Sequence, residues 1–320
     1  MIVVSMIVVR ANATCAVPDA PPAPRPLRFV SFNMLHGGMS SGLWGDGERL
    51  DARLDAAATS LAALEPDVIG LQEASRGWRR GNVAARLASA LGFHVVEAGA
   101  TSKLFGGNVL GFLSSFVLAL DEGPAIASRF PITHVTRTLL PPCHAFYRRV
   151  LLCAEICTPW GPIEACSTHL NGSECQAASV DADLRARASA APIVLMGDLN
   201  ATEDTPGLRL LRERAGFLDT FRAANPAAPG FTDNQELDVE RATAAERVDY
   251  VLVAPGPDGH DDVVGSRVVL DRPVVHDGAV LWSSDHYGVM SEVSFFGGSP
   301  VAEATRFELG AAPSGRTPHP

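Results

Sequence analysis

Apolar residues recur along this chain in two rhythms, and the change from one to the other marks out its elements. Leu50, Leu54, Ala57, Ala58, Leu61 and Leu64 fall at helical spacing and Pro66 ends the run, which predicts a helix. Val83, Leu87 and Leu91 predict a second, closed by Gly92 in the left-handed conformation a glycine adopts freely. The short apolar stretches LRFVSF (27–32) and VIGL (68–71) read as strands, so the chain opens with strands and helices alternating. From Phe93 the helices drop out. FHVVEAG, GPAIASRFPI, YRRVLLCAEIC and IEACSTHL read as successive strands, the last two joined by TPWGP, which predicts an antiparallel hairpin. CQAASVDADLRARASA then predicts a helix carrying Val180, Leu184 and Ala188, and PIVLMGD a strand buried on both faces. Another helix starts at Pro206, and RVDYVLVA, SRVVL and HYGVMSEVSF supply the final strands. This order predicts an α/β fold: two mixed β-sheets packed face to face, helices on both outer faces, and strand ends converging at one edge.

Acids, amides and imidazoles sit at the ends of these strands. PIVLMGDLN delivers Asp198 and Asn200, IEACSTHL His169, DVIGLQE Glu73 and LRFVSFN Asn33; RVDYVLV holds Asp249, and SSDHYGV holds Asp285 and His286. Asp198 and Asn200 are two apart and project to the same side, where a carboxylate suits a water that must lose a proton and an amide suits a phosphoryl oxygen. The structural alternative is that Asp198 caps a turn and Asn200 supplies a left-handed residue. Glu73 reads either as a ligand for a hard divalent ion or as an acid at a helix start. Asp285 and His286, adjacent in sequence, point different ways and can serve a metal and a phosphate separately. Asp249, mid-strand in its apolar run, needs a buried partner, for which an imidazole is the economical choice. His36, in a Gly-rich loop next to Asn33, either reaches the site or stands outside it, and the second reading is preferred; His94, His134, His144, His260, His276 and His319 are assigned no role.

Composition narrows the class. A chain of 320 residues with 47% hydrophobic content buries a large core, and a net charge of -10 argues against binding polyanions by bulk attraction. Lys103 is the only lysine. Residues 1–9 form an apolar stretch before ANATCA that resembles an export signal without a cationic start, so export and cytoplasmic residence both stand open. AVPDAPPAPRP, up to residue 26, reads as an extended linker and 299–320 as a flexible tail, leaving 27–298 as the folded domain. None of the six cysteines has CxxC spacing. Cys153, Cys157 and Cys166 read as buried free thiols, and Cys143 and Cys175 as loop residues able to bridge in an exported protein.

SFN, PDVIGLQE, STHLNG, MGDLNAT, RVDY and SSDHYGV resemble, in order and spacing, the motifs of the endonuclease/exonuclease/phosphatase superfamily, over residues 27–296. The resemblance implies a four-layered α/β sandwich and a phosphoester hydrolase, most simply a phosphodiesterase or nuclease, dependent on Mg²⁺ or Mn²⁺. It implies Glu73 as principal metal ligand with Asn33 and Asp285 near the ion. Asp198 would orient or deprotonate the attacking water, Asn200 and His169 contact the phosphate, and Asp249 orient His286. Two departures stand out. Abasic-site members carry an acid where this chain has Leu35, and the aromatic or amide that usually precedes the central strand is replaced by no obvious counterpart, Asn108 being the candidate. The apolar segment 104–120 reads as a loop and buried strand, or as a loop that dips into a lipid surface. DNA and a phospholipid or sphingomyelin headgroup are therefore the expected substrates, for a monomer without an obligate protein partner. A catalytically silent binding protein of the same fold is disfavoured by so many costly polar groups at one edge.

Overall fold

The first long strand, β1 (Leu27–Asn33), sets the plan of the molecule, because its two faces go to two different cores. Leu27 and Phe29 enter the core between the sheets, while Val30 and Phe32 face a separate core under helices. The computed structural model describes residues 9–10, 15, 17–36, 49–77, 80–99, 122–143, 149–187, 191–255 and 262–296. Segment 104–120, Asn108, His144 and the tail lie outside the described residues.

After β1 come α1 (Leu50–Leu64), β2 (Val68–Gln72), α2 (Val83–Leu91), β3 (His94–Glu97), β4 (Ala125–Ser128), β5 (Ile132–Leu139), β6 (Val150–Thr158) and β7 (Gly161–His169). Then follow α3 (Glu174–Ala186), β8 (Ile193–Asp198), α4 (Pro206–Arg209), β9 (Leu218–Asp219), α5 (Thr220–Ala224), β10 (Asp249–Val253) and β11 (Asp262–Val269). A small hairpin, β12 (Val274–His276) and β13 (Ala279–Leu281), precedes β14 (Gly288–Ser294). One sheet runs β11-β14-β1-β2-β4-β3; the other runs from the Val9–Arg10 edge through β5-β6-β7-β8-β10 to β9. Parallel pairs β1/β2 and β7/β8 among antiparallel neighbours make both sheets mixed. Helices α1 and α2 cover the outer face of the first, α3 and α4 that of the second, giving the four layers expected.

The sheets approach closely at Gly70 of β2, where a Cβ would lie 2.6 Å from Met196 Cβ of β8. Helix α2 starts on Asn82, whose side chain accepts from Ala85 N, and stops at Gly92 with φ 70°. The hairpin β6/β7 forms across the TPWGP turn as expected.

The cysteines correct the sequence reading. All six are paired, as Cys15–Cys157, Cys143–Cys175 and Cys153–Cys166, so Cys153, Cys157 and Cys166 are not free thiols. Cys153 and Cys166 stand directly opposite in the β6/β7 register, with Cα atoms 4.0 Å apart. The Pro-rich arm is also docked on the domain. Besides the Cys15 bridge, the Trp160 indole donates to Pro22 O at 2.8 Å, and Arg25 meets both carboxylate oxygens of buried Asp67 at 2.7 Å.

Candidate active site

Strand parity builds the deep half of the site. In β1, β2, β7, β8 and β10 the residues facing the opposite sheet alternate with those facing the helices, and the last inward positions are Asn33, Gln72, His169 and Asp198, with Asp249 as the first of β10. Register then sets them side by side, Asn33 against Gln72, His169 against Asp198, and Asp198 against Asp249. Asp249 is thus at the start of its strand and not in the middle, because the strand begins two residues later than the run RVDYVLV.

Asp198 is the hub. Asn33 Nδ2 donates to its Oδ2 at 3.0 Å, with His169 Nε2 3.3 Å and His286 Nε2 3.8 Å from the same oxygen. Its Oδ1 accepts from Asn200 N at 2.9 Å, an Asx turn that holds Asn200 at φ 47°. The turn role and the site role are therefore combined, since the Asn200 amide donates to His169 Nε2 at 2.9 Å and to Leu170 O at 3.0 Å. Gly172 makes room for that turn: with φ 74°, a Cβ there would lie 2.3 Å from Asn200 O. His286 Nδ1 meets Asp249 Oδ2 at 2.9 Å, and its Nε2 lies 3.2 Å from Asp233 Oδ1.

Burial and charge separate the two imidazoles. Burial, reinforced by the Arg149 guanidinium, pushes His169 down to about 3, so it is neutral. Burial also opposes charge on His286, but Asp249 outweighs it through charge and hydrogen bond, and the pKa stands well above the usual imidazole value. Burial, then the neighbouring Asp249 charge, raises Asp198 to about 7. One neutral imidazole, one imidazolium and a carboxyl that ionises near neutrality lie around one point.

The shallow half of the site rests on loops. Glu73 follows β2 with φ 54° and starts no helix; Asn33 Nδ2 donates to its Oε1 at 3.3 Å. His36 Nδ1 lies 2.7 Å from Glu73 Oε2 and 3.5 Å from Glu122 Oε2. Placing His36 outside the site was therefore wrong: its loop turns back at Leu35, φ 48°, and carries the ring onto Glu73. Burial works against ionising Glu73, yet hydrogen bonding to His36 and the surrounding imidazoles hold it well below the usual carboxylate range. Burial and the Glu73 charge raise Glu122. Asp285 accepts from Ser284 Oγ at 3.2 Å, and burial raises its pKa, with the Glu73 charge adding to the rise.

The structure thus brings Asn33, Glu73, His169, Asp198, Asn200, Asp249 and His286 into one contiguous network and sets Asp285 at its margin. It adds His36, Glu122, Gln72, Asp233 and Arg53. Buried Arg53 donates to the carbonyls of Met34, Leu35 and Ser283, tying α1 to the loops that carry the site. Asp233 comes from the loop before β10, stitched to the site by Gln235 N to Asp285 O at 2.9 Å and Tyr287 N to Thr232 O at 2.7 Å. Glu122 opens the EGPAIAS string and carried a visible signal; Asp233 and Arg53 carried none. His94 and His134 are exposed.

Residues 30–286 match the family model described as endonuclease/exonuclease/phosphatase family. The chain belongs to this family. Its members are phosphoester hydrolases, and the fold agrees with solved relatives. A family protein from Bacteroides thetaiotaomicron is 19% identical over 86% of this chain and 97% of its own, with a TM-score of 0.66. A mannosyl-6-phosphatase from B. thetaiotaomicron VPI-5482 is 19% identical over 84% of this chain and 100% of its own, TM-score 0.65. A third, from Beutenbergia cavernae DSM 12333, is 26% identical over 87% of this chain and 73% of its own, TM-score 0.61. Comparison with curated proteins finds no match.

The family uses a divalent metal, and the donor set fits one. Glu73 and Glu122 supply partly buried carboxylate oxygens that, with the His36 ring nitrogen, lie within 4.8 Å of one another, and Asn33 contacts Glu73 directly.

Proposed function

We propose that this chain is a divalent-metal-dependent phosphodiesterase. The observation that carries the reading is the convergence on one Asp198 oxygen of Asn33 at 3.0 Å, His169 at 3.3 Å and His286 at 3.8 Å, with His286 anchored behind by Asp249. A carboxylate so held accepts a proton from the attacking water, and its pKa of about 7 matches that task near neutrality. His286, kept charged by Asp249, donates to a phosphoryl oxygen as negative charge builds on it. Neutral His169 and the Asn200 amide, bonded to each other in the free protein, would turn from that bond to steady the other phosphoryl oxygen. Water oxygen bonds to phosphorus, the ester P–O bond breaks, and the departing alkoxide takes a proton from solvent water, to which Asp198 returns the one it accepted. A Mg²⁺ or Mn²⁺ ion would be held by Glu73, with Asn33 and Asp285 beside it, and would supply Lewis-acid stabilisation of that charge.

The net charge of -10 favours a small or headgroup diester over duplex DNA. Three disulfides using every cysteine support maturation in an oxidising compartment. The test is a parallel assay, with Mg²⁺ or Mn²⁺, on bis(p-nitrophenyl) phosphate, plasmid DNA, sphingomyelin and mannose 6-phosphate. Diester turnover that EDTA abolishes and added metal restores is expected. Release of phosphate from the monoester with no diester cleaved would replace this reading by a phosphomonoesterase.

A further inference from the structure

The second cluster, Glu73 with His36 and Glu122, lies on the loops beyond the strand ends, and its construction shows what it can hold. Its members come from three separate segments, after β1, after β2 and before β4. Backbone bonds fasten these segments together: Met34 N donates to Gln72 O at 3.2 Å, and Ala74 N to Gly123 O at 2.9 Å. His36 N adds a bond to Glu73 Oε2 at 3.4 Å, and Arg80 grips both the His36 carbonyl and Ser75 Oγ, the latter at 3.0 Å. The ring is thus held with Nδ1 toward two carboxylates, 2.7 Å from one and 3.5 Å from the other.

Those two separations bracket the ~3 Å expected between neighbouring ligands of an ion with bonds of ~2.1 Å. We propose that His36 and Glu122 complete the cation seat that Glu73 begins, and that the imidazole donor makes the seat prefer Mn²⁺ and other transition ions over Mg²⁺. The claim rests on the metal-dependent reading above and extends it to the ligand set and the identity of the ion. The chemistry behind it is ligand softness. Mg²⁺ favours an all-oxygen octahedron with several retained waters, whereas an imidazole nitrogen raises affinity along the first transition series. Other charges face the cluster. Arg80 and Arg149 act on Glu122 and oppose a cation, while Asp285 reinforces the negative field at Glu73.

The experiment uses the oxidised full chain freed of metal, titrated with MnCl₂ and with MgCl₂ by calorimetry, alongside pulsed EPR of the Mn²⁺ form for coupling to imidazole nitrogen. Wild type should bind one Mn²⁺ at least about 10-fold more tightly than Mg²⁺ and show the nitrogen coupling. His36→Gln should lose the coupling and about 10-fold or more in Mn²⁺ affinity, with a smaller loss for Mg²⁺. Glu122→Gln should weaken both ions. Nitrogen coupling retained in His36→Gln, or Mn²⁺ affinity unchanged in it, overturns the proposal. If that variant fails to fold, absence of nitrogen coupling in wild type overturns it equally. Mn²⁺ binding that is lost in Glu73→Gln yet untouched in His36→Gln and Glu122→Gln leaves the metal-dependent reading standing and removes this one. A wild type that binds neither ion removes the metal-dependent reading itself.

Discussion

The two halves of the site are built differently. Asp198, Asp249, His169 and Asn33 sit on strand ends whose register and parity are set by the hydrophobic core, and each is at most 7% exposed. Glu73, His36 and Glu122 sit on loops, with side chains 18–20% exposed, held by a few backbone bonds and by Arg80. The deep half therefore has its geometry set by the same packing that stabilises the fold, and it contains the groups whose proton affinities are moved furthest apart. The shallow half has the adaptability and water access that capturing and releasing an ion require. Rigidity is placed where a proton moves, compliance where a ligand comes and goes.

Substitutions that strike the deep half should separate these roles most sharply. Asp198→Ala removes the hub and should lower kcat by about 10³-fold or more while Mn²⁺ still binds. Steady-state kinetics with calorimetry reads both, and unaltered turnover would deny Asp198 its part. Asp249→Asn keeps the shape but takes away the charge that holds His286 protonated. We expect a loss of about 10²-fold. The sign of the pH effect follows: the raised His286 pKa falls, so activity that needs the imidazolium declines at lower pH than in wild type. An alkaline limb that stays in place would show that His286 does not act in its charged form. Gly172→Ala tests the packing under the deep half without touching its chemistry. A Cβ 2.3 Å from Asn200 O forces the turn to shift, and the loss should appear chiefly in kcat, by about 10-fold, with metal affinity kept. The smallest effect on activity should come from far away. Replacing Cys143 and Cys175 by serine, which opens a bridge of sequence separation 32, should cost about 2–4 kcal/mol of stability in a denaturant titration and leave kcat nearly unchanged in the folded protein.

The difference between the halves also explains what could be read in advance. Helices over 50–64 and 83–91 were legible because periodicity, Pro66 and Gly92 are local signals. The strand-end residues were legible because a polar group that ends an apolar strand is conspicuous. His36 was misjudged because nothing in a Gly-rich loop announces where it turns back. Glu122 was passed over in a search for an aromatic or an amide. The Cys153–Cys166 pair needed the register of the β6/β7 hairpin, which sequence spacing alone leaves open by a residue or more, and Cys15 needed the docked path of the Pro-rich arm.

By itself, then, the order of residues determined the family, the alternation of elements and which strands end in acid, amide or imidazole, because these depend on short-range periodicity and on the cost of burying polar groups. The tertiary structure alone decided that Asp198 is the hub, that Asp233 also reaches His286, and that His36 meets two glutamates. Each of these depends on register across strands or on the closure of a loop, where interactions between residues far apart in the chain outweigh anything local.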